Sequence, residues 1–529
     1  MLNPGLTPFS ENRLQNKGVF VRESTGLTKN VSLLDALSMN LGSMEVGLAL
    51  GSIGYTMVLL PSVSGANMIV ASVIALLIVI PQVIVYQMFM NRMARTGGDY
   101  VWASRSFGGA GGVLAFGGAI MIQLAYAALA VIATVFAIGS VGLALGNQSF
   151  LGIALPGNIP GANPPLQFVI GGTLYALIVA LNVFRPKAGF RLVSISIVLG
   201  VILLALATVV PLLAGQTGVA NYINSLNAVG SNNQTITYNS LASSYTGPTF
   251  DLGNTLMFMP FFIFFSYPWF ATGAPTVASE FKGANTTRFN IPLSLLITFT
   301  FATIPLAVMY DVGGIGFTNA ALSNPTLVYN YSFNFWTLSM GVSGNPVISF
   351  LIGLGWILWN VALLGYLVIS FSRYLLAQGF DRFLPARFAE VSRFGSPWVA
   401  HVVDLVVTLI MAGLAGFLYG IFSALYGIAL NNWIWFISIG VAAIVYSVRK
   451  MQGSAKLIMA ISGALMTIVY LYISYVFLEY PGIWGGNSLA YGYDAAVFII
   501  GAALYAGSWY YHRSKGINIS LAFKAIPPE

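Results

Sequence analysis

Glu45 is an ionisable side chain deep inside an apolar stretch that begins at Leu33. A helical rise of 1.5 Å per residue places it ~18 Å along that stretch, near the centre of a bilayer about 30 Å thick. Charged groups at that depth are costly, so Glu45 is a candidate for function. Its carboxylate could neutralise an ammonium group or take up a proton. The alternative is structural: a protonated carboxyl group that hydrogen-bonds a neighbouring helix.

The residues around Glu45 favour an interrupted helix. They read Asn40-Leu-Gly-Ser-Met-Glu-Val-Gly47, and a further glycine follows at Gly51. Glycine weakens a helix and lets neighbouring backbones approach closely. Where the helix breaks, carbonyl groups that leave the helical ladder can bind a cation or an ammonium group.

A second interruption is predicted in the apolar stretch 254–280. It holds three residues that disturb helices, namely Pro268, Gly273 and Pro275. Together they make a continuous regular helix improbable. Ser266, Tyr267 and Trp269 would present a hydroxyl group and aromatic faces at this break. The alternative is a simple proline kink whose aromatic side chains pack against lipid.

The composition indicates which elements carry these residues. Of the 529 residues, 57% are hydrophobic and 7% are charged, whereas soluble domains carry roughly 25% charged residues. Because about 20 mostly apolar residues span a membrane, most of the chain is predicted to form membrane-spanning helices. Twelve spans are predicted, at 33–60, 66–90, 108–144, 167–184, 190–214, 254–280, 291–313, 347–378, 399–420, 424–448, 457–478 and 492–512.

The two interruptions fall in spans one and six, which run in opposite directions. Both lie near the middle of their spans. Two discontinuous helices related in this way are typical of an inverted repeat with a binding site at the membrane midplane. The pattern therefore favours a protein that carries a small solute across the membrane, and Glu45 favours a solute with an amine.

The distribution of charge predicts topology and excludes several classes of partner. All 22 Lys and Arg residues fall on one side of the predicted spans, which by the positive-inside rule is cytoplasmic. Both termini are then cytoplasmic, in a cell membrane, and the net charge of +8 reflects topology, not nucleic-acid binding. The chain has no cysteine and only His401 and His512 as histidines, so no metal or other cofactor is expected.

Three segments on the basic side carry a family resemblance. They are Gly97-Gly-Asp-Tyr100 at the start of 97–108, Ala278-Ser-Glu-Phe-Lys282 followed by Asn290-Ile-Pro292, and Ser372-Arg-Tyr-Leu-Leu-Ala-Gln-Gly-Phe-Asp-Arg-Phe-Leu-Pro385. These segments resemble signatures of the amino acid–polyamine–organocation superfamily of secondary transporters. They stand at the expected positions between spans, so the resemblance covers nearly the whole chain.

The resemblance implies an all-α integral membrane fold like that of the sodium-coupled leucine transporter. Twelve helices would form two five-helix inverted repeats and two accessory helices, with helices 1 and 6 broken at the midplane. The implied division is a cytoplasmic segment 1–32, a first repeat 33–214, an extracellular loop 215–253, a second repeat 254–448, accessory helices 449–512 and a cytoplasmic tail 513–529.

The resemblance also implies a binding site at the two breaks. Its residues would be Gly42, Ser43, Met44, Glu45, Gly47, Ser266, Tyr267, Trp269 and Phe270, completed by Tyr126, Trp359 and Asn360 from spans three and eight. Backbone amides at half-helix amino ends would bind a carboxylate, and free carbonyl groups an amine. The chain departs from the family at Gly42-Ser-Met-Glu45, where many members have a Gly-x-Gly-Ile run. The coupling ion would be a proton on Glu45, or sodium with Ser370 as a further ligand.

These features predict an ion-coupled permease for amino acids or related amines that works by alternating access in a lipid bilayer. A proton is preferred over sodium, and the protein is expected as a monomer or homodimer. One alternative is a carrier of cationic amines or polyamines, and another is a nutrient sensor on the same scaffold. An enzyme is not expected, because no cluster of acids, bases or metal ligands accompanies Glu45.

Overall fold

The computed structural model describes residues 26–527, except 28, 156–158, 232 and 419–426. Within these residues the chain is helical, and β-type pairing is limited to three isolated bridges. Eleven of the described helices are long and apolar enough to cross a membrane. The prediction of an all-helical, multi-pass membrane protein is confirmed.

The main helices are labelled here in chain order. They are α1 Leu33–Met44, α2 Val46–Leu59, α3 Met68–Met90, α4 Asp99–Phe107, α5 Gly109–Ala144, α6 Pro164–Phe184, α7 Pro186–Ser225, α8 Leu252–Phe258, α9 Pro260–Phe265, α10 Ala284–Gly313, α11 Pro346–Phe380, α12 Trp398–Phe417, α13 Ala429–Lys450, α14 Gly453–Glu479 and α15 Ser488–Ser514. Shorter helices connect them at Leu151–Ala154, Tyr238–Ser244, Ile315–Leu322, Phe335–Val342 and Pro481–Trp484.

Most predicted spans match an observed helix to within a few residues, because each helix ends where the sequence turns polar. The span 33–60 differs, since it divides at Glu45 into helices of 12 and 14 residues. Neither half is long enough to count among the eleven. The span 190–214 ends at Gly215, whose φ of 60° and ψ of −169° interrupt α7. The first residues of the span 424–448 lie outside the described residues.

The second predicted interruption lies in the most enclosed part of the molecule. In the most apolar 18-residue window of the segment Leu252–Thr276, 89% of the residues are buried inside the protein. In the corresponding window of α15, only 22% are buried. Helix α1 packs against this segment and also against α7, α10 and α11. The two interrupted elements are therefore neighbours, surrounded by long continuous helices.

Candidate functional site

The first break is a single residue in the left-handed region. Helix α1 starts with a capping box between Ser32 and Asp35 and ends at Met44, and Glu45 has φ 31° and ψ 60°. A residue other than glycine is strained by about 1–2 kcal/mol in this left-handed conformation. Strained backbone of this kind clusters at functional sites, where surrounding contacts hold it in place. The glycines predicted a break, but the residue that forms it is Glu45 itself.

Glu45 joins the two half-helices. Its backbone N–H donates to the Leu41 carbonyl at 3.1 Å, and its carbonyl accepts from the Ala49 N–H at 3.0 Å. Its side-chain Oε1 accepts from the Leu48 N–H at 3.1 Å, which caps α2. The other carboxylate oxygen, Oε2, has no hydrogen-bond partner among the described residues. Glu45 is only 2% exposed, so Oε2 is a buried hydrogen-bond acceptor without a donor among the described residues, which is unusual for a buried polar atom.

The second break is longer than a proline kink. Helix α9 ends at Phe265, Ser266 is non-helical with φ −143° and ψ −74°, and a 3₁₀ turn runs over Tyr267–Thr272. Gly273 is again non-helical, and short 3₁₀ turns continue to Glu280. The proline at 268 contributes no N–H group, so regular helical bonding cannot resume at that point.

Reciprocal hydrogen bonds join the two breaks. The Ser43 hydroxyl donates to the Trp269 carbonyl at 2.6 Å, and the Ser266 hydroxyl donates to the Met44 carbonyl at 2.7 Å. Ser43 also lies 2.8 Å from the Thr272 hydroxyl. Each break thus supplies a hydroxyl group for a carbonyl that the other break has freed, as buried polar groups require. The structure brings the two predicted breaks into direct contact.

Aromatic side chains surround this junction. The rings of Tyr126 and Trp269, two of the candidate residues, meet edge to face with centroids 5.0 Å apart. The Trp269 indole N–H donates to the Phe264 carbonyl at 2.6 Å. The Tyr267 hydroxyl bonds to the Ser72 hydroxyl of α3. Phe270 contacts Tyr86 of α3 at 5.7 Å between centroids.

Helix α11 closes another side of the junction. Trp359 packs on Gly47, where an added Cβ would lie 2.3 Å from the Trp359 Cβ. Gly42 approaches the Ala362 carbonyl in the same way. The Asn360 amide donates to the Trp356 carbonyl at 3.0 Å, while its Oδ1 has no partner among the described residues. The glycines next to Glu45 are therefore required for close contact between α1, α2 and α11.

Ser370 is in α11, one helical turn after Tyr366 and towards the basic end of that helix. Its hydroxyl accepts from the Thr276 hydroxyl at 3.1 Å. The structure thus places Ser370 against the end of the second break.

Sequence reasoning missed two residues of this junction. Tyr366 of α11 lies within hydrogen-bonding reach of the Ser43 and Thr272 hydroxyls. Asn40 accepts from the Ala274 N–H at 2.7 Å and donates to Asn290 Oδ1 at 3.1 Å, which ties α1 to the second break and to α10. Asn40 is a polar residue one turn before Glu45, and that spacing could have identified it. Tyr366 carries no such signal, because tyrosine is common in membrane spans.

The three segments that carry the family resemblance meet at one place on the basic side. Asp99 accepts hydrogen bonds from the Tyr86 hydroxyl at 2.9 Å, the Tyr374 hydroxyl at 2.7 Å and the Trp435 indole at 2.9 Å. Burial raises the pKa of Asp99 from 3.8 to about 6, although these donors lower it. The carboxylate therefore joins α3, α4, α11 and α13 in one polar contact.

Two ion pairs extend this contact. Arg373 pairs with Glu280 at 3.0 Å, and both side chains are buried. Arg105 pairs with Asp381, which also accepts from the Tyr100 hydroxyl at 2.6 Å. The Gly97 N–H donates to the Thr276 carbonyl at 2.8 Å, which links this layer to the second break. We call the Asp99, Glu280, Arg373, Arg105 and Asp381 contacts the basic-side cluster.

Comparison with known families finds a match over most of the chain. The family model described as amino acid permease matches residues 31–504. The match covers both breaks and the basic-side cluster. No curated protein matches the chain.

Proposed function

Since the chain belongs to the amino acid permease family, we propose that it is a secondary active transporter whose solute binds between the two breaks. Membership confirms the resemblance that the three segments predicted. It indicates a transporter of amino acids or amines in place of an enzyme. The substrate site, the coupling ion and the transport cycle are our proposal.

The observation that carries the proposal is the state of Glu45. Its Oε2 is buried and unpartnered among the described residues, beside the second break. A buried carboxylate oxygen without a donor is costly unless a ligand or a proton supplies one. A substrate ammonium group would pair with Oε2, and the Tyr126 and Trp269 rings would provide cation–π and apolar contact.

Helix contacts support the two-repeat arrangement implied by the resemblance. In that arrangement spans one and six, two and seven, and three and eight are equivalent. The contacts form equivalent pairs. Helix α1 packs on α10, and the second break packs on α3 in the equivalent way. Helix α11 packs on α7, and α5 packs on α13 in the equivalent way. We propose two five-helix repeats related in this way, with α14 and α15 as accessory helices and the domain limits given above.

Alternating access is supported by contacts that close the site towards both faces. On one face the basic-side cluster ties the second break to α4 and α11. On the other, the Asp251 N–H donates to the Gly65 carbonyl at 2.7 Å, and the Asn254 amide donates to the Ser64 carbonyl at 2.6 Å. Opening either layer would expose Glu45 to one side. We propose that the basic face is cytoplasmic, with both termini there, in the plasma membrane.

The proposed coupling ion is a proton on Glu45. A zwitterionic solute would place its ammonium group at the backbone carbonyls of the two breaks, with the proton on Glu45 travelling alongside it. A cationic amine would instead displace that proton, because both need the same oxygen. The direction of proton movement relative to the solute therefore distinguishes symport from exchange.

One observation favours a second candidate, a carrier of cationic amines. Glu45 Oε1 already caps the amino end of α2 through the Leu48 N–H. A substrate carboxylate would bind at that same amino end, where partial positive charge collects. Since the protein's own carboxylate occupies the position, a zwitterionic amino acid meets repulsion that a simple amine does not.

The test is an uptake screen in proteoliposomes with imposed proton or sodium gradients. Matched pairs, each an amino acid and its decarboxylated amine, separate the two candidates. Accumulation that follows the proton gradient supports the proposal. Solute-specific binding to sealed vesicles without accumulation contradicts it and favours a sensor.

A further inference from the structure

A cavity of about 770 Å³ lies on the basic face, away from the two breaks. It is formed where α4 meets α5, at the end of α13, and along the 3₁₀ turn Ile519–Lys524. The basic residues on its walls are Arg105, Arg449 and Lys524, and no carboxylate lines it in the part of the chain that the structure describes. Its remaining walls are mostly small or apolar.

Two of the three cations are available to a ligand. Arg105 is committed to Asp381 and donates from Nε to the Ala525 carbonyl. Arg449 and Lys524 are exposed, and neither has a carboxylate partner among the described residues. Arg449 makes one long contact, 3.5 Å from Nη1 to the Ser106 carbonyl. The cavity therefore presents an uncompensated charge of about two, which attracts anions.

The apolar wall of the cavity runs along α13, one of the helices long and apolar enough to cross a membrane. Arg449 lies in the last turn of α13, and Val445 and Val441 lie one and two turns above it on the same helix. Eight residues of helix correspond to ~12 Å, and Val441 is 36% exposed at that depth. Leu114 of α5 lines the same cavity. A charged entrance above an apolar wall of this length fits a phosphate group with an attached acyl chain.

We propose that this cavity binds an anionic phospholipid of the leaflet on the basic side. The phosphate would contact Arg449 and Lys524, and one acyl chain would follow Val445, Val441 and Leu114. Basic pockets between membrane helices on the positively charged face bind anionic headgroups in this way. A free phosphate would satisfy the two cations but would leave the apolar wall uncovered.

The bound lipid would also hold the C-terminal turn in place. Lys524 reaches the cavity because Phe523 is buried and packs on Tyr505, with ring centroids 6.1 Å apart. Arg95 donates to the Pro527 carbonyl at 3.0 Å. The lipid would therefore link the C-terminal tail to α13. Because such a link should stabilise the folded protein, the experiment measures thermal stability.

The experiment measures thermal unfolding of the full chain in nanodiscs of dioleoyl phosphatidylglycerol or dioleoyl phosphatidylcholine. The test variant is Arg449→Gln with Lys524→Gln. The matched control is Arg513→Gln with Lys515→Gln, which removes two charges from the same face at side chains that stack on Trp509 and Tyr511. Each set is also titrated with phosphatidylglycerol and, separately, with glycerol phosphate in detergent.

We expect phosphatidylglycerol to raise the unfolding temperature of the wild type above its value in phosphatidylcholine. Loss of two cations should weaken phosphatidylglycerol binding roughly 30-fold, at ~1 kcal/mol per charge, while the control keeps the wild-type shift. An equal shift in the test variant, or an equal loss in the control, would overturn the proposal. A wild-type response to glycerol phosphate as strong as that to the lipid would also overturn it, since the acyl chain would then contribute nothing.

Discussion

Glu45 and Asp99 are both buried carboxylates, yet their surroundings differ in one respect. Asp99 accepts three side-chain hydrogen bonds from three helices. Glu45 accepts one backbone hydrogen bond on one oxygen, and its other oxygen has no partner among the described residues. Asp99 lies in the basic-side cluster, whereas Glu45 lies at the strained junction of α1 and α2.

The difference supports the separate roles proposed for the two carboxylates. A fully satisfied buried charge fixes the helices that donate to it, and it leaves no capacity for a ligand. A partly satisfied one costs stability, and a ligand or a proton can complete it. We therefore expect Asp99 to hold the basic-side layer together and, under the proposed function, Glu45 to bind a proton or an ammonium group.

The largest expected effect is on uptake by Glu45→Gln. Replacing the carboxylate removes the partner of the substrate ammonium group while keeping the shape of the side chain. Losing one member of a buried charge pair costs about 3 kcal/mol, which corresponds to about a 100-fold lower uptake. The unfolding temperature should stay near that of the wild type, because the amide oxygen can still accept from the Leu48 N–H.

The control is Asp494→Asn in α15, another buried carboxylate whose oxygens lack partners among the described residues. Helix α15 packs mainly on α5, so uptake should be retained. Wild-type uptake by Glu45→Gln at every pH would show that the carboxylate at position 45 has no part in transport.

The second prediction concerns the pH dependence of stability. Burial raises the pKa of Asp99 from 3.8 to about 6, so the folded protein binds this proton more tightly than the unfolded chain. Its contribution to stability is therefore full below about pH 4 and is lost as the pH rises through about 6. The loss is on the order of 3 kcal/mol.

Thermal unfolding in detergent between pH 4 and pH 7.5 tests this prediction. The wild type should become less stable across that interval, and Asp99→Asn should lack this component at an overall lower stability. An Asp99→Asn variant with the same pH profile as the wild type would assign the dependence to another group.

A smaller effect is expected from Tyr374→Phe, which removes one donor to Asp99. A hydrogen bond to a charged group contributes roughly 2 kcal/mol, so stability at neutral pH should fall by about that amount. The pKa of Asp99 should rise further, because the lost donor favoured the charged form. The pH interval of the stability loss should then move upward. A change in stability without any such movement would mean that Tyr374 acts by shape alone.

The sequence predicted the features that depend on local residue patterns. Span positions depend on runs of apolar residues, so the limits of α5, α6, α11 and α14 agreed with the structure. The break near Glu45 was predicted from glycines, which weaken helices locally. The left-handed conformation of Glu45 stands next to Ser43 and Met44, whose hydrogen bonds join α1 to the second break. No local pattern encodes those long-range bonds.

The contacts of the basic-side cluster could not be predicted from the sequence. Its segments were recognised as motifs, but the partners of Asp99 are at positions 86, 374 and 435, and only the fold brings them together. Tyrosine and tryptophan are abundant in this chain, with 26 and 10 residues. Which of them become buried donors could not be chosen from composition or spacing.

The smallest expected effect is that of Ser266→Ala at the junction of the breaks. The Ser266 hydroxyl donates to the neutral Met44 carbonyl, so its loss should cost about 1 kcal/mol, less than the loss of a donor to Asp99. Ser474→Ala is the matched control, because that hydroxyl donates to the Tyr470 carbonyl within α14. Unfolding temperatures compare the two variants. Uptake should fall in Ser266→Ala and not in Ser474→Ala, since of these two hydrogen bonds only the one from Ser266 joins the two breaks. If Ser266→Ala destabilised the protein more than Tyr374→Phe, the junction would be as firmly built as the basic-side cluster, and the distinction between the two carboxylates would fail.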